Sequence, residues 1–426
     1  MNKPSQKITI MGLGVIDQGS GFSAAKYFAK KKAKVIVTDY TKQTKLNPNT
    51  ISELKKYKNI QLVFGRHRDQ DFKNRDLIIR NPGVHWDSKY LKIARSNNIP
   101  VMTDLGIFFD EIKDKDIKVI GITGTRGKTT TSYLTYEILK AKYKNRVFIG
   151  GNVGNSPLNF VDKLKKNDIV ILEVSSFLLH DLKSGHFNVA CFTNLLEDHM
   201  NFYKSMTCYK KDKINIFRNQ TEKDFMVLNR LDPRIKSLGN RTKARVKYFG
   251  KENIKDLKII GKHNQANIAA AFEICKIFTV PKSTMLKVAK NFKGVPNRLE
   301  LIREYKGRKF YNDTTATSPD AAIAALNAFD GKVILISGGN TKELSLKKLA
   351  ALMKKKVKTL ILLPGNANKD LPKGKDVKNI QDAVELAWEE SKEGDIILLS
   401  PGLTWLPVMN EFQRGEEFVK FVKNLK

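Results

Sequence analysis

The 426-residue sequence has only three cysteines, no long apolar run and few acidic residues for its length. Cys191, Cys208 and Cys275 have neither a paired nor a metal-ligand spacing, which excludes a disulfide framework and a cysteine-based zinc site. We expect all three to be buried as small apolar residues. No segment approaches the ~20 apolar residues that a membrane helix requires, and the first residues lead directly into a strand-like run. We therefore expect a cytoplasmic protein that binds no membrane.

The shortage of acidic residues leaves a large positive charge. Lys and Arg total 77 against 43 Asp and Glu, which gives a net charge of +34. Such an excess is typical of nucleic-acid-binding proteins. However, most of these cations are lysine and are spread along the chain, whereas base and bidentate phosphate recognition favour arginine. The composition therefore favours a solvated, lysine-rich surface that attracts small anions, without dedicated nucleic-acid binding.

Short apolar segments alternate with longer amphipathic ones along most of the sequence. Several apolar segments hold consecutive Ile, Leu and Val, the pattern of strands buried on both faces of a parallel sheet. This alternation predicts an α/β fold of βαβ units, with ligands at the carboxyl ends of the strands. The predicted strands are residues 8–11, 34–38, 77–79, 119–122, 169–172, 333–336, 359–363 and 396–399, and the predicted helices include 129–141, 264–278 and 382–391.

Two breaks divide the chain into three predicted domains. The polar segment 111–118 precedes a new strand–loop–helix unit, and the Gly- and Pro-containing segment 292–298 precedes another. The length also favours two or three domains. We therefore expect domains at residues 1–116, 117–294 and 295–426.

The strongest local signal is a glycine-rich segment, 119–131, in which a strand runs into a loop and then a helix. Glycines allow backbone N–H groups to approach an anion, and the helix N-terminus adds positive potential. Lys128 is placed to reach phosphate oxygens and Thr129 to ligate magnesium, although Ile122 replaces the first glycine of the common ATP-loop pattern. The segment predicts ATP binding through Gly124, Thr125, Gly127, Lys128, Thr129 and Thr130.

Carboxylates follow two further predicted strands in the same region. Glu173 ends one buried run, and Glu197, Asp198 and His199 follow another. Magnesium prefers oxygen ligands, so these positions are candidates for metal ligands or for residues that orient them. The alternative for Glu173 is an ordinary acid at a strand end, and for His199 a histidine with no metal role.

At these residues the sequence resembles the Mur ligase family, ATP-dependent enzymes that form amide bonds by adding amino acids to a peptidoglycan precursor. The matching motifs occur in family order and span nearly the whole chain. They are GTRGKTT at 124–130, EVSSF at 173–177, EDH at 197–199, GKHNQAN at 261–267, Arg298, and YNDTTAT at 311–317. The glutamate-adding branch is matched by GLG at 12–14, NPG at 81–83, GGNVG at 150–154 and the segment 400–415, whereas the DNPR motif of another branch is absent.

The resemblance implies three domains: a Rossmann-like N-terminal domain that binds a UDP substrate, a central P-loop ATPase-like domain, and a C-terminal Rossmann-like α/β domain that binds an amino acid. It implies addition of D-glutamate to UDP-N-acetylmuramoyl-L-alanine in the cytoplasm, through an acyl phosphate formed with ATP. It also implies two Mg²⁺ sites. We expect a monomer.

The resemblance also assigns individual residues. Lys128 is expected to stabilise the γ-phosphate and Lys213 to carry a carbamate that ligates magnesium. The assigned sets are Thr129, Glu173, His199 and Lys213 for metal, Asn267, Arg298 and Asp313 for the nucleotide, Gly14, Asp39, Asn81, Gly83 and Asn152 for the UDP substrate, and Thr317, Lys342 and Thr404 for the amino acid.

Departures from the family pattern leave alternatives open. Thr315 replaces a family lysine that helps bind the incoming amino acid, and the final Ser-Pro motif is shorter and lacks its usual Asp. L-glutamate or another amino acid is therefore an alternative substrate. Other readings are a folate polyglutamate ligase, a basic nucleic-acid-binding ATPase, and an NAD-dependent oxidoreductase built on the Gly12–Gly14 turn, although Asp17 occupies the third glycine position of that fingerprint.

Overall fold

The computed structural model of the chain describes residues 6–14, 18–200, 202–261, 263–340, 345–405 and 408–425. Within these ranges the strands form three sheets. The chain divides into two compact units: Met1–Glu252 with Ala266–Val288, and Asn253–Gln265 with Ala289–Lys426. The first two sheets belong to the first unit and the third sheet to the second.

The first sheet is parallel in all the pairings described. Its strands are β1 (Lys7–Met11), β2 (Lys34–Asp39), β3 (Ile60–Phe64), β4 (Leu77–Arg80) and β5 (Val101–Met102), with helices α1 (Ser20–Lys30), α2 (Pro48–Lys55), α3 (Lys89–Ser96) and α4 (Asp104–Ile112). The strand order is β3-β2-β1-β4-β5. Because the order reverses between β1 and β4, the segments that follow these two strands meet at a switch point, the usual ligand position in such sheets.

The second sheet is also parallel in its described pairings. Its strands are β6 (Lys118–Thr123), β7 (Val147–Gly151), β8 (Ile169–Glu173), β9 (Val189–Phe192), β10 (Phe225–Asn229) and β11 (Arg245–Phe249). The helices that follow in sequence are α5 (Lys128–Tyr143), α6 (Ser176–His180), α7 (Met206–Ile214), α8 (Pro233–Lys236), α9 (Asn264–Ile277) and α10 (Lys282–Asn291). The order β11-β10-β9-β6-β8-β7 places β6 between β9 and β8. The phosphate loop therefore lies between the segments that follow β8 and β9.

The third sheet combines one antiparallel hairpin with parallel strands. It comprises β12 (Glu300–Tyr305), β13 (Arg308–Asn312), β14 (Val333–Gly338), β15 (Val357–Leu363), β16 (Lys375–Asp376) and β17 (Ile396–Leu399), with α11 (Pro319–Leu326), α12 (Lys347–Lys356), α13 (Ile380–Glu389) and α14 (Glu411–Asn424). The order is β12-β13-β17-β14-β15-β16. Lys306 and Gly307, both at positive φ, form the turn of the hairpin between β12 and β13. The sequence pattern did not predict this antiparallel hairpin.

One hydrophobic core extends over the first two sheets. Phe108 and Phe109 of α4 contact Phe160 and Phe187, with ring centroids 6.4 Å and 5.0 Å apart. Each fully buried Phe side chain contributes roughly 1.5–3 kcal/mol through removal of apolar surface from water. A Cβ atom at Gly121 would lie 2.5 Å from the Phe187 ring, so this glycine is required by packing within β6 and not by the phosphate loop.

The predicted α/β fold is confirmed, and all eight predicted strands and three predicted helices are present with small shifts at their ends. Each sheet lies within one of the three intervals predicted as domains; the boundaries themselves stay a prediction. The expectation for the cysteines is wrong at Cys208, which is exposed on the first turn of α7, whereas Cys191 and Cys275 are buried. No helix among the described residues is long and apolar enough to span a membrane.

Candidate functional site

The phosphate loop adopts a conformation that requires glycine at two positions. Gly124 and Gly127 have φ values of 143° and 80°, where side chains are strained. A Cβ atom at Gly124 would lie 1.9 Å from Oγ1 of Thr193, and one at Gly127 would lie 2.2 Å from Oδ1 of Asn267. The loop therefore fits tightly between the segment after β9 and the start of α9.

The segment after β9 holds the loop through hydrogen bonds. Asn194 accepts the backbone N–H of Arg126 at 2.8 Å and donates its amide to the Arg126 carbonyl at 3.0 Å. Thr193 donates to the same carbonyl at 2.7 Å. The sequence-based prediction missed both residues; their only signal is that they directly follow β9, whose pairing with β6 is not visible in the sequence.

Lys128 is the first residue of α5. Its Nζ donates to the carbonyl of Thr125 at 2.9 Å, which folds the side chain over the loop. Thr129 and Thr130 lie beside it on the first turn and are partly buried. The first N–H groups of a helix lack intrahelical acceptors and carry the positive end of the helix dipole. The loop and the first turn thus form an anion-binding site.

Lys213 on α7 is a buried amine directed at the same loop. Its residue surface is 1% exposed, and Nζ donates to the Gly124 carbonyl at 2.7 Å. Nζ also lies 4.6 Å from the centroid of the Tyr209 ring. Burial, followed by the positive charge of Lys128, lowers the pKa of Lys213 well below its ordinary value. The structure therefore favours an uncharged amine at this position.

Glu173 ends β8 beside the loop and is 1% exposed. Its Oε1 accepts the side-chain amide of Asn152 at 3.1 Å, whereas Oε2 is buried and has no hydrogen-bond partner among the described residues. A buried carboxylate oxygen left without a donor is costly, and a cation is the kind of ligand that satisfies it. Asn152 also donates its backbone N–H to the Glu173 carbonyl at 2.8 Å. Asn152, predicted for the UDP substrate, and Glu173, predicted for metal, are therefore neighbours.

His199 lies on the segment after β9 in a left-handed conformation, with φ of 58°. Its backbone N–H donates to Oδ1 of Asp198 at 2.9 Å, and its ring lies 4.9 Å from that of Phe177. Partial burial lowers the pKa of His199; Asp198 opposes this shift, and the positive charge of Lys128 reinforces it. The neutral imidazole is therefore favoured.

The donor types of this region suit magnesium. Mg²⁺ is commonly held by one or two protein oxygens together with nucleotide phosphates and water. The Oε2 atom of Glu173 and the hydroxyl of Thr129 are such donors, whereas a histidine nitrogen is a softer ligand. In the described part of the chain, no group of three or more His, Cys, Asp or Glu residues could hold a metal ion.

Four residues predicted for the UDP substrate, Gly14, Asp39, Asn81 and Gly83, lie near the switch point of the first sheet, whereas Asn152 follows β7 of the second sheet. Asp39 accepts the backbone N–H groups of Leu13 and Thr41 at 2.7 Å and 2.8 Å, which fixes the turn after β1. Asn81 Oδ1 accepts the N–H of Gly83 at 3.0 Å. A Cβ atom at Gly14, whose φ is 83°, would lie 3.0 Å from Nδ2 of Asn81. The loops after β1 and β4 therefore adjoin closely.

Asp313 is a buried carboxyl at the end of β13 in the second unit. Oδ2 accepts the Ser400 hydroxyl at 2.7 Å, and Oδ1 accepts the N–H of Leu299 at 3.2 Å. Burial raises the pKa of Asp313 to about 7, although the Ser400 hydrogen bond and the charge of Arg298 oppose the shift. Arg298 itself is exposed beside this carboxyl.

Thr317 and Thr404, two of the residues predicted for the amino acid, lie on loops at the carboxyl ends of the third sheet. Thr404 exchanges backbone hydrogen bonds with Asn340 at 2.6 Å and 3.3 Å, and its hydroxyl donates to the Asn340 carbonyl at 3.1 Å. The N–H of Thr317 donates to the carbonyl of Thr315 at 2.9 Å. Between them, the Ala316 carbonyl accepts the N–H of Gly402, which follows β17, at 2.8 Å. Lys342 lies outside the described residues.

Three family models match the chain in the order of its sheets. They are described as Mur ligase MurD-like, N-terminal domain, at residues 6–103; Mur ligase middle domain, at 122–258; and Mur ligase, glutamate ligase domain, at 297–403. The phosphate loop, Glu173, His199 and Lys213 all lie in the middle match.

Curated relatives match along the full length. A UDP-N-acetylmuramoylalanine–D-glutamate ligase of Borreliella burgdorferi is 34% identical, over 98% of this chain and 97% of that protein. Its namesake from Clostridioides difficile is 31% identical, over 100% of both chains.

Solved structures show the same fold at lower identity. The UDP-N-acetylmuramate–alanine ligase MurC of Thermotoga maritima matches with a TM-score of 0.63 and 19% identity, covering 99% of this chain and 100% of that one. MurF ligase of Thermotoga maritima, solved with ADP, matches with a TM-score of 0.59 and 19% identity over 92% of this chain and 95% of that one. Given the full-length identity above 30% and the three domain matches, the chain belongs to the Mur ligase family.

Proposed function

We propose that this chain is an ATP-dependent ligase that joins D-glutamate to UDP-N-acetylmuramoyl-L-alanine, releasing ADP and phosphate. The observation that carries the proposal is the group of Lys128, Lys213 and Glu173 around a glycine-dependent phosphate loop. The names of the full-length relatives supply the substrates. The oxidoreductase and nucleic-acid alternatives are not favoured, because the matching families are ligases.

The reaction requires activation of a carboxylate. The terminal carboxylate of the UDP substrate attacks the γ-phosphorus of ATP, which forms an acyl phosphate and expels ADP. The amino group of glutamate then attacks the acyl carbon, loses a proton, and phosphate leaves. Because negative charge collects around the transferred group, positioning and fixed positive potential supply most of the catalysis. Lys128 and the N-terminus of α5 provide that potential in this chain.

We assign Thr129, Glu173, His199 and the carbamate of Lys213 to two Mg²⁺ sites. When bound, magnesium neutralises charge on the phosphate oxygens. The unpartnered Oε2 of Glu173 supports its assignment, and Asn152 orients that carboxylate through Oε1. His199 has weaker support, since magnesium favours oxygen ligands.

The carbamate proposal rests on the burial and placement of Lys213. An uncharged Nζ attacks the carbon of CO₂, a nitrogen–carbon bond forms, and one proton leaves for solvent. The carbamate nitrogen retains one N–H, which is enough to keep the present hydrogen bond to the Gly124 carbonyl. Its new negative charge would be attracted to Lys128, whose positive charge disfavours protonation of the unmodified amine. The modification would thus place an anion beside Lys128, where a second ammonium is disfavoured.

The remaining assignments follow the family motifs. Gly14, Asp39, Asn81, Gly83 and Asn152 are proposed for the UDP substrate, Gly124, Thr125, Gly127, Thr130, Asn267, Arg298 and Asp313 for the nucleotide, and Thr317, Lys342 and Thr404 for the amino acid. The loops after β1 and β4 support the first set, since they meet at a switch point. Lys342→Ala is expected to raise the KM for the amino acid and leave the KM for ATP unchanged.

The function is tested by incubating the purified chain with ATP, Mg²⁺ and UDP-N-acetylmuramoyl-L-alanine, and supplying candidate amino acids one at a time. Phosphate release that depends on both the UDP substrate and D-glutamate is the expected result. Release with L-glutamate or another amino acid instead would identify that amino acid as the substrate, the alternative that Thr315 leaves open. Absence of release with every amino acid would overturn the ligase proposal.

A further inference from the structure

Arg80, the last residue of β4, is a fully buried cation that joins two loops of the first unit. Its Nη1 donates to the carbonyl of Val84 at 2.6 Å and to that of Pro82 at 3.2 Å, with a longer 3.5 Å contact to the carbonyl of Asn81. These three carbonyls belong to the loop after β4. The guanidinium thus organises the loop that carries the proposed UDP-substrate residues.

The other side of the guanidinium binds the region after β8. Nε donates to Oδ2 of Asp181 at 2.6 Å, and Nη2 donates to the carbonyl of Phe177 at 2.8 Å. The side chain of Asp181 is 11% exposed, so both charges of this ion pair are largely removed from water. A buried ion pair is strongly sensitive to loss of one partner, because the remaining charge is left unpaired. Arg80 and Asp181 therefore form a rigid connection.

The connection ends beside the proposed catalytic centre. Phe177 lies on α6, which begins three residues after Glu173, and its ring contacts that of His199. His180 at the end of α6 lies 2.8 Å from Asp212, which neighbours Lys213 on α7. Displacement of α6 would therefore disturb the residues proposed to surround the transferred phosphoryl group.

The orientation of the first loop follows from the same contacts. The carbonyl oxygens of the loop point towards Arg80, and its backbone N–H groups are engaged elsewhere. Asn81 donates to the Met11 carbonyl, Gly83 to Oδ1 of Asn81 and Val84 to the Asn81 carbonyl. The side-chain amide of Asn81 lies beside the Gly14 turn. Arg80 therefore fixes the backbone from which Asn81 projects towards that turn.

We propose that Arg80 is a positioning residue that couples the UDP-substrate loop, residues 81–84, to α6. This inference rests on the proposed function and adds to it a named link between substrate binding and phosphoryl transfer. Through that link, the reacting carboxylate of a substrate held at the first sheet is kept in register with the phosphate loop of the second. Misplacement of reacting groups by about 1 Å costs on the order of 10²-fold in rate.

The test compares kinetics in three variants. Arg80→Lys keeps the charge but cannot reach both loops, so kcat/KM for the UDP substrate is expected to fall on the order of 10²-fold while the KM for ATP is unchanged. The double variant Arg80→Met/Asp181→Leu replaces the buried ion pair by apolar groups. Because no charge is left unpaired, its thermal stability is expected to equal that of the wild type. Its kcat/KM for the UDP substrate should nevertheless remain as low as that of Arg80→Lys.

Arg75→Met is the matched control. Arg75 precedes β4 and binds Oγ1 of Thr9 at 3.0 Å, at the amino end of the same sheet. Its loss should lower stability and leave the kinetic constants unchanged. Recovery of activity together with stability in the double variant, or unchanged kinetics in Arg80→Lys, would show a purely structural role and overturn the inference alone. A wild-type chain that releases no phosphate would overturn the proposed function and this inference with it.

Discussion

The second and third sheets both have loops at the carboxyl ends of parallel strands, but these two ends carry different chemistry. At the second sheet, ionisable groups of both signs are buried together: Lys213 beside the phosphate loop and Glu173 at the end of β8. At the third sheet, the loops present hydroxyl and amide groups such as Thr317 and Thr404, with Asp313 as a buried carboxyl. The arrangement at the second sheet suits phosphoryl transfer, in which negative charge moves between groups. The arrangement at the third sheet suits selection of an amino acid through hydrogen bonds.

Burial has the same effect at both ends. It lowers the pKa of Lys213 and raises that of Asp313, so each group takes its uncharged form more readily than it does in water. The two ends differ in how Lys213 and Asp313 are each expected to become charged. A carbamate would make Lys213 anionic, whereas Asp313 ionises when the pH rises or when a cationic partner approaches. Removing these groups one at a time tests the difference between the two ends.

The largest effect is expected for Lys213→Ala. Loss of a proposed magnesium ligand at the phosphate loop should reduce kcat on the order of 10³-fold or more. Added formate or acetate should restore part of the activity by supplying the missing carboxylate. Lys211→Ala is the matched control, because Lys211 lies on the same helix but is exposed. Activity equal to that of Lys211→Ala would contradict a metal role for Lys213.

A smaller loss is expected for Glu173→Gln. Glutamine keeps an oxygen for the contact with Asn152 but removes the charge that Oε2 offers to magnesium. Activity at a fixed Mg²⁺ concentration should fall on the order of 10²-fold, and the half-saturating Mg²⁺ concentration should rise. Asp116→Asn, at the amino end of β6, serves as the control. If the Mg²⁺ titration of Glu173→Gln overlaid that of the wild type, the ligand assignment would be wrong.

Asp313 should leave a signature in the pH dependence of stability. Because its folded pKa is about 7 and its unfolded pKa is about 4, the folded state binds the proton more tightly. Its contribution is therefore present below pH ~4 and is lost as the pH rises through ~7. Denaturant unfolding of the ligand-free protein should show that Asp313→Asn removes this decline.

The matched control, Asp395→Asn, should act with the opposite sign. Burial raises the pKa of Asp395, but the hydrogen bonds from Lys358 and Lys392 outweigh it, so the net shift is downward. Its stabilisation is present above the unfolded pKa of about 4 and disappears as the pH falls below it. A parallel pH response of the two variants would contradict the difference in their environments.

The local parts of this architecture could be predicted from the sequence. Consecutive buried Ile, Leu and Val residues marked the strands, and the spacing of Gly124, Gly127 and Lys128 marked the phosphate loop. The contacts that support the site could not be predicted, because they join distant positions. Asn194 binds a loop 68 residues earlier, and Arg80 pairs with an acid 101 residues later. Neither contact has a sequence signal until the strand order is known.

The smallest effect is expected at the third sheet, for Thr404→Val. This change keeps the side-chain volume and removes one hydroxyl, which now donates to the Asn340 carbonyl. If that hydroxyl also contacts the amino acid, the KM for the amino acid should rise about fivefold, the equivalent of one hydrogen bond of about 1 kcal/mol, and the KM for ATP should be unchanged. Thr359→Val, within β15, controls for the loss of a hydroxyl elsewhere in the sheet. A change confined to the KM for ATP would mean that Thr404 does not contact the amino acid, and it would remove this support for amino-acid recognition by hydroxyl groups at the third sheet.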